Sequence, residues 1–72
     1  MQRNWEDFAQ AIILQAVQDY RRALKILRRR PMSQTAQALE AEVRNFFQSW
    51  WFAQLTDVDA EYLIIRLREE AA

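Results

Sequence analysis

The stretch NWEDFAQAIILQAVQDYRRALKILRRRP, Asn4 to Pro31, decides the fold. Wound at about 100° per residue, Trp5, Ala9, Ile12, Ala16, Tyr20, Ala23 and Leu27 share one face, and Ile13, Val17 and Leu24 widen it. Asn4 is a good N-cap, because its short side chain can accept from an otherwise orphaned N–H of the first turn. Glu6 and Asp7 then lie where the helix dipole favours negative charge, and Arg28, Arg29 and Arg30 lie where it favours positive charge. Pro31 lacks an N–H and crowds the preceding turn, so the helix ends near Arg29 or Arg30. One long amphipathic helix follows from these features.

Downstream the same period recurs. Ala36, Leu39, Val43, Phe46, Phe47 and Trp50 form an aromatic-rich face of a second helix that starts after Ser33. A break is expected between Trp51 and Leu55, because an uninterrupted helix would point Phe52 away from Phe46 and Trp50. Ser49 reads as a small spacer between rings. Thr56, with Asp59 three residues on, reads as the cap of a third helix, a weak form of the capping box. On that helix Ala60, Leu63, Ile64 and Leu67 share one face, while Val58, Tyr62 and Ile65 form a second apolar strip on nearly the opposite side. Both strips cannot be core of one small monomer. The expected fold is all-α, a single elongated three-helix domain over residues 1–72, with helices at about 4–29, 34–51 and 57–69.

Length limits what such a domain can bury. A first helix of about 26 residues is about 39 Å long, whereas a compact globule of this size has a radius of gyration of about 11 Å. The 72 residues contain no cysteine to form a disulfide, so packing or a partner must supply all the stability. The spare strip Val58, Tyr62 and Ile65, together with the off-phase Phe52, is therefore assigned to a homodimer or partner interface.

Composition excludes several classes of function. With no histidine, cysteine or glycine, the chain lacks the usual general base, the thiol nucleophile, most metal ligands and the glycine loops that cradle phosphate. No cofactor is expected. Asp57, Asp59 and Glu61 imitate the start of a calcium loop, but Tyr62 stands where that loop needs glycine and Arg68 where it needs a closing glutamate. Ser33 and Ser49 have no base beside them, and no pair of carboxylates marks a catalytic cleft, so no enzyme is expected. The uncharged runs, Phe8–Gln18 and Asn45–Thr56, are 11 and 12 residues long, short of the roughly 20 that span a bilayer. Glu6 and Asp7 do not fit a cleavable leader, which makes the cytosol the expected compartment.

The net charge is +0, yet Arg21, Arg22, Lys25, Arg28, Arg29 and Arg30 place six of the ten basic residues in ten positions without one acid, and Arg21, Lys25, Arg28 and Arg29 lie opposite the apolar face. Three readings fit the stripe formed by Arg21, Arg22, Lys25, Arg28 and Arg29. It is a solvated face, a contact for an acidic protein groove, or a track for nucleic-acid phosphates. Against the last stand the ten acids of the chain and the absence of a glycine turn of the helix-turn-helix kind. In its favour, Trp51 and Phe52 would stack on bases if exposed. A basic amphipathic helix with tryptophans also suits an anionic membrane surface, although helix two is expected to cover its apolar face.

Three segments carry a likeness: AIILQAVQDYR (Ala11–Arg21), FFQSWWF (Phe46–Phe52) and LTDVDAEYLI (Leu55–Ile64). Through an Asp-Tyr-Arg step, an aromatic pair before Ser-x-Trp-Phe, and a Leu-Thr-x-x-Asp step, the chain resembles small uncharacterised helical proteins encoded by phages and integrating mobile elements of Gram-positive bacteria. Ala60 stands where that pattern has glycine. The resemblance implies an accessory protein that binds host machinery, in its specific form an anti-CRISPR-like inhibitor of a host defence nuclease. It assigns no functional residue. The expected partner is a protein, with nucleic acid as the alternative.

Overall fold

The computed structural model describes residues 4–72, and among them it contains helices and turns but no strand. Helix α1 runs over Trp5–Arg29, α2 over Gln34–Phe47, α3 over Trp50–Leu55 and α4 over Ala60–Ala71. The all-α class is as expected, with three long helices and one short one. Asn4 caps α1 by accepting the Asp7 N–H at 2.9 Å, and Arg30 closes its far end by donating to the Ile26 carbonyl at 2.8 Å. Ser33 Oγ accepts the Ala36 N–H and starts α2, and the Gln37 amide donates to the Pro31 carbonyl, fastening the turn. So short a connection makes α1 and α2 antiparallel neighbours.

Two boundaries differ from expectation. The second helix ends at Phe47, not Trp51, and the break falls at Gln48–Ser49. Ser49 is no spacer: its Oγ accepts the Phe52 N–H at 3.2 Å and its hydroxyl donates to the Phe46 carbonyl at 2.6 Å, so one side chain ends α2 and caps α3. The third long helix starts at Ala60 and continues to Ala71, capped by Asp59, whose carboxylate accepts the Tyr62 N–H. Thr56 is extended and spends its hydroxyl on the Val58 N–H, a local turn that competes with helix initiation.

The break resets the helical phase, and Phe52 turns inward. It is 2% exposed, which removes it from the expected partner surface. Trp50, expected on the core face, is instead 73% exposed. Tyr20, Val43, Phe47, Phe52, Ile64 and Leu67 make the core. The Phe47 ring meets Tyr20 at 5.6 Å and Phe52 at 5.4 Å, both edge to face, the arrangement aromatic quadrupoles favour. On α4, Ile64 and Leu67 are buried with Ala60 and Leu63 half-buried beside them, so Tyr62 and Ile65 are left outside; Val58, expected on the same helix, lies instead in the bend before the Asp59 cap, and it too is exposed.

The molecule measures 46 × 22 × 20 Å with a radius of gyration of 13.2 Å, above the value for a compact globule of its length. Its elongation comes from α1. Twenty-five residues span about 37 Å, and the 14 of α2 cover about 21 Å of that.

Candidate binding surface

The basic stripe divides once its partners are known. Arg21 lies against α4 and donates from Nε and Nη2 to the two carboxylate oxygens of Glu70, at 2.9 and 3.1 Å. Arg22 donates to Asp19 at 3.1 Å, one turn back on α1, and Gln15 donates to the same oxygen. Lys25, Arg28 and Arg29, with Arg30 at the cap, are exposed and make no ion pair among the described residues. Every other described cation is within 4.0 Å of a carboxylate. Among the described residues, unneutralised positive charge is thus confined to one end of the rod, where the α1 dipole adds negative charge that holds it in place.

Behind that end lies a polar cluster that the sequence did not single out. The Tyr20 hydroxyl donates to Glu40 Oε2 at 2.7 Å, and Arg44 donates to both Glu40 oxygens at 2.9 and 3.1 Å. Arg68 reaches across from α4 to the Tyr20 oxygen and to Glu40, each at 3.3 Å. Three helices meet on one carboxylate. The Arg44 hydrogen bonds outweigh the opposing effect of burial and, helped by Tyr20 and Arg68, hold Glu40 down at about 2. Burial, then the hydrogen bond to Glu40, pushes the Tyr20 hydroxyl up. Glu40 and Arg44 stand four apart on α2, a helical ion pair legible in the sequence, whereas the approach of Arg68 is not.

At the opposite end, α1 overruns the helices that cover it. Trp5, expected on the buried face, is half exposed and packs edge-on to Trp51 at 6.0 Å and beside Phe8 at 5.7 Å, with Trp50 next in line. From this aromatic end a groove of about 550 Å³ runs between α1 and α2, lined by Phe8, Ala11, Ile12, Leu39, Val43 and Phe46 with Gln15, Asp19 and Glu42 as its polar members. Tyr62 and Ile65 on α4 and Val58 in the bend before it are exposed. No described contact joins this strip to the basic end of α1.

Among the described residues no helix is long and apolar enough to cross a membrane, and no three acidic side chains gather as a metal site. Compared with protein-family models, curated proteins and solved structures, the chain matches none.

Proposed function

We propose that this chain is a non-catalytic binding protein whose partner is another protein, engaged through acidic residues at the end of α1 that carries Lys25, Arg28 and Arg29. The observation that supports the reading is the sorting of charge among the described residues: the cations elsewhere are neutralised locally, and those at this end are not. Complementary charge of this kind speeds encounter and fixes register. Arg21 and Arg22, held by Glu70 and Asp19, serve the same surface from its margin. The exposed strip Val58, Tyr62 and Ile65 supports a homodimer as the form in which the partner is met. The specific version, drawn from the resemblance, is a phage or mobile-element protein that inhibits a host defence nuclease in the bacterial cytosol.

A pull-down from a bacterial host that retains one defined protein tests this, with the double variant Lys25→Glu, Arg28→Glu as the control. Capture is expected to be lost while the helical circular-dichroism spectrum is kept. Unchanged capture by the double variant overturns the assignment. The same cations on nucleic acid would behave differently: the logarithm of affinity would fall with the logarithm of salt by about 0.9 per phosphate contact on duplex DNA. Binding to random duplex with that slope, and no protein captured, would replace a protein partner by nucleic acid.

A further inference from the structure

The groove between α1 and α2 lies on the side of α1 away from α4. Asp19, which lines it, and Arg21, which meets α4, are two residues apart and so about 160° apart around the helix. Helix α4 therefore covers one flank of the α1–α2 pair, and the other flank stands open with an apolar lining. We propose that this flank receives an amphipathic helix from a protein partner, one that carries Lys or Arg beside its apolar face. The inference does not rest on the basic end of α1.

Three observations determine the occupant. The walls are two helices whose backbone groups are bonded within themselves, and the lining offers few polar groups, so an extended segment laid here would bury unpaired N–H and C=O groups. A helix brings its own backbone bonds already made. Along α1 the groove runs from Phe8 to Asp19, about 16 Å, which accommodates three turns, and Ala11 lets another backbone approach closely. The charged lining residues, Asp19 and Glu42, are both acidic and come from opposite walls. Asp19 is shared with Gln15 and Arg22, but Glu42 is exposed and makes no ion pair among the described residues. A basic residue at the edge of the incoming helix meets that carboxylate, whereas an acidic one is repelled.

The test uses two synthetic 14-residue helical peptides, one of leucine and lysine in amphipathic order and one with glutamate in place of lysine. Binding is followed by calorimetry and by the emission of Trp5 and Trp51, which adjoin Phe8 at the end of the groove. The lysine peptide is expected to bind, the glutamate peptide at least about tenfold more weakly, and Glu42→Lys to invert that order. Ala11→Arg, an exposed site on the groove wall, is expected to abolish binding with the circular-dichroism spectrum unchanged. The Lys25→Glu, Arg28→Glu protein is expected to keep it, which separates this surface from the basic end. Full binding by Ala11→Arg, or equal binding of the two peptides, overturns the proposal. Sedimentation of the protein alone supplies a further check: a wild-type dimer that Ala11→Arg converts to monomer would make a second copy the occupant, and the proposal would fall.

Discussion

Tyr20 on α1 and Glu40 on α2 are joined by a 2.7 Å hydrogen bond from the phenol hydroxyl to the carboxylate, and the Tyr20 ring is fully buried. The bond fixes how the two long helices register, because Tyr20 also touches Phe47 and Arg68 from the other sides. A side chain that is apolar in body and polar at its tip lets the core come up to a charged cluster without leaving a buried oxygen unpaired.

Tyr20→Phe removes that bond and retains the ring. The expected loss is about 1–2 kcal/mol, since the departing hydroxyl is bonded to a charged acceptor. In a domain of this size each kcal/mol lowers the melting temperature by about 4–8 °C, so thermal denaturation followed by circular dichroism reads it directly. Glu40→Ala is expected to cost more than Tyr20→Phe, because it strands a buried phenol along with two guanidinium groups.

Stability is expected to depend on pH through Glu40. Its carboxyl is held down at about 2 in the folded chain, below the ordinary 4.5 that applies once the chain unfolds. The folded state therefore binds fewer protons than the unfolded one between these values, and acid favours unfolding. The contribution is complete above about pH 5 and is lost as pH falls through 2. Urea denaturation at pH 7 and pH 3 should show a drop for the wild type and a smaller one for Glu40→Gln.

Ser49 holds two helices by one hydroxyl. Ser49→Ala is expected to cost about 1 kcal/mol, the usual worth of an N-cap, whereas Thr56→Ala, which loses only a turn contact, should cost less. Equal losses in urea midpoints would contradict the cap positions described above.

Phe52 and Tyr62 should separate fold from interface. Phe52→Ala empties a site in the centre of the core and is expected to cost about 3–5 kcal/mol, enough to unfold so small a domain. Tyr62→Ala changes an exposed position and should leave the helical signal intact while weakening any self-association measured by sedimentation.

Arg21 and Arg28 are neighbours on one stripe with different expected roles. Arg21→Ala loses an exposed pair with Glu70 and should lower stability by no more than about 1 kcal/mol. Arg28→Ala breaks no ion pair among the described residues and loses only its favourable place at the C-terminal end of the α1 dipole, so it should lower stability by no more than about 0.5 kcal/mol. The proposed function requires the reverse order for partner capture.

Much of this protein is already present in its local chemistry. The first helix needed nothing beyond the period of its apolar residues, Asn4 at one end and Pro31 at the other, because caps and proline act within a turn of where they stand. The buried and the exposed face of α4 were equally legible from spacing, although Val58 falls in the bend before the helix, and so was the concentration of arginine at one end of α1. Contacts between distant residues decided the rest. Ser49 reads as a spacer until the phase of Phe52 must serve a core built by Tyr20, Val43 and Phe47. The stripe looks uniform until Glu70 arrives from α4 to neutralise Arg21, and Trp5 looks buried until the lengths of the covering helices are laid against α1. Periodicity tells which residues share a face, since that is a property of one helix. Which face is covered, and which charge is cancelled, depends on how far the neighbouring helices reach, and only packing in three dimensions sets that.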